Sequence, residues 1–103
     1  MGIFSYFFGT GSEKLKDALR KGAVIIDVRT PHEFDFGHIP GALNIPVDRV
    51  KTNADRIRQL KKPVIICSHN FADAAEVIEL LRALGINESL NGGNWESLLR
   101  KIR

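Results

Sequence analysis

The chain contains one cysteine, one methionine, one tryptophan and one tyrosine in 103 residues. The lone cysteine, Cys67, can form neither an internal disulfide nor a CxxC metal or redox pair. No stretch approaches 18 consecutive apolar residues, so no spanning helix is expected. Charge of one sign is nowhere massed. Fifteen basic residues against twelve acidic ones leave +3, spread along the chain, where a dedicated nucleic-acid binder would carry a denser stripe. The basic residues between Arg49 and Lys62 are interrupted by Asp55 and fit a solvated helix face. Phosphate-binding GxxxxGK and the G-x-S-x-G elbow are both missing. Gly9-Thr10-Gly11 opens like a dinucleotide loop but meets Lys14 where the third glycine belongs, and no strand precedes it. His32-Glu33 opens like a zincin but meets Phe36 where the second histidine belongs. Neither a metal nor a cofactor is therefore expected.

What remains is an ordinary globular composition, 44% hydrophobic and 26% charged, in a length that holds one compact domain. Residues 1–11 stand apart as an aromatic N-terminal segment, and residues 12–103 form the domain. The opening MGIFSYFFG carries Phe4, Tyr6, Phe7 and Phe8, half of the chain's aromatics. It lacks the basic region and apolar length of a secretory leader, and Tyr6 stands where myristoylation needs Ser or Thr. The preferred reading is a segment folded back over the domain's open edge. A sticky arm, with residues 3–8 touching a membrane surface or a partner, is the alternative. A cytoplasmic location is expected.

Along the domain, strands alternate with helices. Thr10 to Glu13 fits a capping box before Leu15, Ala18 and Leu19, and Gly22 supplies the stop. Ala23 to Val28 is apolar on both faces and rich in β-branched residues, as in a buried parallel strand. Thr30-Pro31-His32-Glu33 caps a short helix closed by Gly37. Ala42 to Ile45 is a short strand halted by Pro46, and Ala54, Ile57 and Leu60 mark a helix ending before Pro63. Val64 to Cys67 is a second buried strand. The strongest helix runs from about Asp73 to Leu84, followed by Gly85. Residues 88–90 suggest a last strand, and Trp95, Leu98, Leu99 and Ile102 a closing helix in which Trp95 is core. The pattern predicts an α/β fold with a central parallel sheet of about four to five strands, flanked by helices on both faces.

Cys67 is the candidate reactive group. It ends a parallel strand, on the side where open α/β sheets place their ligands. About five residues, Ser68, His69, Asn70, Phe71 and Ala72, separate it from a helix N-terminus. Backbone N–H groups of such a loop, with the helix dipole, favour a sulfur anion. An inert cysteine closing a strand is the competing reading, and position alone leaves the two level. Asn70 leans toward the reactive one, because asparagine tolerates left-handed conformations.

Asp27-Val28-Arg29, Glu33-Phe34, Gly37-His38-Ile39-Pro40-Gly41-Ala42 and Asn44-Ile45-Pro46 together resemble the signature of the rhodanese-like domain. Val64 to Cys67, the loop, the helix to Leu84-Gly85 and then Gly92-Gly93 keep that family's order, so the resemblance spans residues 12–101. It implies a rhodanese-like fold in which Cys67 accepts a sulfane sulfur as a persulfide and passes it on. The partners implied are a sulfane-sulfur donor or a protein thiol or persulfide. The family's active loop reads Cys-Arg-x-Gly-x-Arg and then a small hydroxyl residue. Here Ser68, Asn70, Ala72 and Asp73 stand at the Arg, Gly, Arg and hydroxyl positions. Two cations are gone and one anion has arrived, so activity with thiosulfate is expected to be weak. Asp73 with Glu76 reads as a capping box, and His69 as a solvent-facing loop residue and the one remaining loop cation. Asp27 and Arg29 are supporting residues, with Arg29 and Glu33 placed to pair and His38 a hydrogen-bonded loop brace. A catalytically inactive binding or regulatory module is the alternative function. A phosphatase of related fold is a more distant one, since it needs a longer loop and a phosphate-holding arginine.

Overall fold

A computed structural model describes residues 11–103, so the aromatic opening and the Thr10 cap lie outside the described residues. Helix α1 (Gly11–Arg20) buries Leu15 and Ala18 on one face. It closes where Gly22, at φ +86°, lets Ala23 N–H reach back to Ala18 O at 2.9 Å. Strand β1 (Val24–Asp27) follows, then the short helix α2 (Pro31–Phe36). The capping box expected at α2 is present. Thr30 Oγ1 accepts from Glu33 N–H at 3.2 Å, and Thr30 N–H donates to Glu33 Oε1 at 3.0 Å. Strand β2 (Leu43–Asn44), a single 3-10 turn (Val47–Arg49) and helix α3 (Ala54–Gln59) come next. Strand β3 (Val64–Ser68) is buried at every position. Helix α4 (Phe71–Ala83), strand β4 (Ser89–Asn94) and helix α5 (Trp95–Ile102) complete the described chain.

The four strands lie in the order β2-β1-β3-β4, all parallel. The sheet is the expected one, at the lower end of the expected strand number. Side-chain alternation sorts its residues into two layers. Ile26, Val28, Val64 and Ile66 pack with Ala54 and Ile57 of α3 and with Ala74, Val77 and Leu81 of α4. On the other face Ile25, Ile65 and Cys67 pack with Leu15 and Ala18 of α1 and Leu98 of α5. That parity decides which environment Cys67 meets.

Strand β4 runs further than residues 88–90, through two glycines that weaken a strand signal. Its register against β3 jumps from Ile66↔Asn91 to Cys67↔Gly93, so Gly92 is the extra residue of a bulge. A Cβ on Gly92 would lie 2.8 Å from Leu98 Cδ2 and 2.9 Å from Ile65 Cγ2, so no larger residue fits without displacement. Gly93 sits at φ +71°, in the left-handed region that glycine occupies freely. Among the described residues, no helix is long and apolar enough to cross a membrane.

Candidate functional site

Cys67 lies near the carboxyl end of β3, directly opposite Asp27 of β1. The side chains of Asp27 and Cys67 share the α1/α5 face of the sheet and both are fully buried. The Asp27 carboxylate is held by Arg29, whose Nη2 donates to Oδ2 at 2.7 Å and whose Nε donates to Oδ1 at 3.0 Å. The backbone N–H of Arg29 donates to the same Oδ1 at 3.0 Å. Arg29 Nη2 also donates to Gly37 O at 2.7 Å, and its guanidinium carbon lies 4.4 Å from the Trp95 ring centre.

This corrects one reading. Arg29 does not pair with the Glu33 carboxylate, since the fully buried Asp27 takes its charge. The Asp-x-Arg spacing at a strand end, two residues apart on one face, was the available signal for it. Trp95 packs against the core as expected, half-buried, and it also covers Arg29, with its ring edge against Gly37. Asn44 braces the same segment by donating from Nδ2 to Asp27 O at 3.0 Å and to Arg29 O at 2.9 Å. His38 is tied back to α2, its Nδ1 2.6 Å from Phe34 O and its ring stacked on Phe34.

The loop after Cys67 is shorter than the five residues expected. Ser68 ends β3, Asn70 is already the N-cap of α4, and only His69 and Asn70 lie between the two elements. Phe71, Ala72 and Asp73 are the first helical turn. Asn70 Oδ1 accepts from Asp73 N–H at 2.8 Å, so Asn70 does the capping and Asp73 is the third helical residue, not the cap. Asn70 is extended at φ −154°, and its usefulness lies in its side-chain oxygen, not in left-handed tolerance. His69 does not simply face solvent. Its Nε2 lies 2.7 Å from Glu33 Oε2, and its carbonyl accepts from Asn94 Nδ2 at 2.8 Å, which ties the loop to α2 and to the β4–α5 junction.

Burial pushes the Cys67 thiol up to about 12 from an ordinary 9.0, with the charge of Asp27 adding to the rise and Arg29 opposing it. That burial works against the thiolate expected from the helix N-terminus. The sulfur faces the α1/α5 layer while α4 packs on the other face, and Asn70 takes one of α4's first-turn N–H groups. The Glu33 carboxyl is held below its ordinary 4.5, first by the hydrogen bond from the Thr30 backbone and also by His69.

On the α4 side of the strand ends a groove of 520 Å³ opens between α4, the β1–α2 connection and the 3-10 turn. Ser68, His69, Asp73 and Glu76 line it from β3, the loop and α4, with Thr30, Glu33, Val47 and Asp48 opposite. Ser68 reaches this groove, and Cys67 does not line it.

Residues 12–98 match the family model of the rhodanese-like domain. The chain is 40% identical over 83 residues to the uncharacterized protein YqhL of Bacillus subtilis, covering 79% of this chain and 64% of that protein. It thus spans less than two thirds of that relative's length. It is 36% identical over 81 residues to the thiosulfate sulfurtransferase GlpE of Pseudomonas syringae, covering 74% of each. The human single-domain sulfurtransferase TSTD1 superposes with a TM-score of 0.68 at 28% identity, over 85% of this chain and 91% of that one. The four-stranded parallel sheet and the match over residues 12–98, which takes in Cys67 at the penultimate position of β3, place this chain in the rhodanese-like family.

Proposed function

We propose that the protein is a sulfurtransferase or sulfur carrier that forms a persulfide on Cys67, taking sulfur from a protein persulfide in preference to thiosulfate. The observation that carries this reading is the position of Cys67, the sole cysteine, one residue from the carboxyl end of β3 in a rhodanese-like fold. In the transfer, Cys67 Sγ bonds to the outer sulfur of a donor persulfide. The donor's S–S bond breaks, and the proton of Cys67 ends on the donor's leaving thiolate. No net oxidation occurs, and a second thiol removes the sulfur by the same exchange.

The loop argues for the choice of donor. Neither Ser68 nor Ala72 carries a cation, Asp73 adds a negative charge, and His69 is engaged by Glu33. An anionic donor such as thiosulfate meets no free positive charge there. The buried, protonated thiol also needs the His69–Asn70 loop to move before a donor can reach it, a displacement suited to a docking protein. A cytoplasmic setting, where thiols stay reduced, suits a lone cysteine used in this way.

Intact-mass measurement tests the reading. After incubation with a persulfidated peptide, a single adduct of about 32 Da, one sulfur, is expected on the wild type and not on Cys67→Ser. No adduct from any sulfane donor would make the protein a binding module that has kept its cysteine.

A further inference from the structure

Among the described residues, the large apolar side chains left in water are Phe36, Val47 and Phe71. Single exposed apolar residues are ordinary, but these three share one end of the molecule. Phe36 closes α2 after β1, Val47 opens the 3-10 turn after β2, and Phe71 opens α4 after β3. All three stand at the carboxyl ends of the parallel strands, where Cys67 lies. The two phenylalanines flank it. Cys67 pairs with Gly93 on one side, and a Cβ on Gly93 would meet Phe71 Cδ1 at 3.9 Å. On the other side Cys67 pairs with Asp27, whose partner Arg29 is fastened to Gly37, next in the chain to Phe36. Phe36 is 82% exposed and Phe71 65%.

Helix α1 indicates what can cover them. Only Lys21, Gly22 and Ala23 join it to β1, and it packs on the sheet face that holds the Cys67 side chain. It therefore runs back antiparallel to β1, with its Gly11 end toward the carboxyl ends of the strands. Its ten residues span about 15 Å, close to the length of the five-residue β3. A stretched chain covers about 3.4 Å per residue, so Phe8 can lie about 10 Å from Gly11 and Phe4 about 25 Å. Phe4, Tyr6, Phe7 and Phe8 are thus within reach of Phe36 and Phe71. Residues 1–10 contain no charged side chain. Such a segment has no cation to hold it on an anionic lipid surface, and its tether to α1 favours its own domain over a second copy.

We propose that the aromatic segment, residues 4–8, docks on the strand-end rim between Phe36 and Phe71 and covers the approach to Cys67. Ring-on-ring contact withdraws from water the apolar surface that both sides otherwise expose. The segment must lift before the His69–Asn70 loop can open toward a reagent or a donor. This concerns access alone and stands whichever reaction Cys67 performs.

The test uses the full chain, isotope-labelled for NMR, with iodoacetamide as the probe of access. Nuclear Overhauser contacts are expected between ring protons of residues 4–8 and those of Phe36 and Phe71, unchanged by dilution. Phe7→Ser with Phe8→Ser should remove them and speed alkylation of Cys67 about tenfold, with the amide spectrum of α3 unmoved as the check on folding. Phe36→Ser, an exposed position, should speed alkylation in the same direction from the other side of the contact. Absence of contacts to either phenylalanine, or wild-type alkylation rates in both variants, would overturn the proposal. Contacts found only between labelled and unlabelled chains would give the rim to a second copy instead. Broadening of residues 3–8 on phosphatidylserine vesicles, without contacts to the rim in free solution, would give the segment to a membrane. Either result would overturn it.

Discussion

Arg29 and Asp27 form a closed pair. The guanidinium reaches the carboxylate through Nε and Nη2, at distances down to 2.7 Å, with both side chains almost wholly removed from water. A guanidinium whose charge acts on Cys67 is thus committed to the scaffold, where it also fastens Gly37 and carries Trp95. Arg29→Ala would leave a buried, uncompensated carboxylate and should cost about 3–5 kcal/mol of stability by chemical denaturation. Asp27→Asn combined with Arg29→Ala should cost less than the two single losses added together, because each single variant strands the other partner. Additive losses would mean that the pair is not a unit.

The buried thiol makes the native state the less reactive one. At pH 8 a cysteine ionising near 12 presents roughly a thousandth of the thiolate of one ionising near 9. Alkylation of Cys67 by iodoacetamide should therefore be far slower in the folded protein than in urea. Faster alkylation when folded would mean that the loop opens readily and activates the sulfur.

The same shift fixes a pH dependence. Because the folded value lies above the unfolded one, the contribution of the neutral thiol is complete below about 9. It is lost as pH rises toward about 12. Unfolding midpoints of wild type and Cys67→Ser should diverge over that alkaline window. Parallel curves would show that the thiol ionises as freely in the fold as in the open chain.

Thiosulfate chemistry should be recoverable from the helix side of the loop. Ala72 is exposed, so Ala72→Arg with Asp73→Ser adds a cation and removes an anion without disturbing the core. A charge-assisted hydrogen bond of about 1.5–3 kcal/mol to the donor corresponds to a gain in sulfur transfer of roughly ten- to a hundredfold. Adding Cys67→Ala should abolish it. Ser68→Arg, attractive on charge grounds alone, would place a guanidinium at a position only 3% exposed and should be tolerated only if its side chain extends into the groove.

Most of the scaffold was legible because its signals are local. The β-branched runs ending at Asp27 and Cys67, the Thr30-Pro31-His32-Glu33 cap and the glycine stops at Gly22 and Gly85 each act within a few residues. The site was less legible because its decisive facts are a matter of parity and distance. Whether Cys67 faces α4 or α5 depends on the sheet's two covers, which lie far apart in sequence. The His69–Glu33 contact joins residues 36 positions apart, and Trp95, after β4, meets Arg29, after β1, with β3 between the two strands. Asn70 misled because one side chain can cap a helix or tolerate a left-handed turn, and only the backbone angle distinguishes the two.

Gly92 offers a packing test that leaves the site chemistry aside. Gly92→Ala places a methyl within 2.9 Å of both Leu98 and Ile65 and should cost about 1–3 kcal/mol, read as a lowered unfolding midpoint. Trimming the neighbour with Leu98→Val should recover part of that loss in the double variant. If the single change is neutral, the bulge is softer than its contacts imply.

The bulge also bears on how the protein behaves in a crowd of its own copies. A sheet is open at two edges, and each edge can recruit a strand from another chain. At one edge β2 offers only Leu43 and Asn44 before Pro46. At the other, β4 is longer but kinked at Gly92 and turned through a left-handed Gly93. An approaching chain finds two rungs on one side and a bent ladder on the other. Neither is a flat template for cross-β stacking, so seeding of fibrils from the folded state is disfavoured by the same two glycines that shape β4 alongside Cys67.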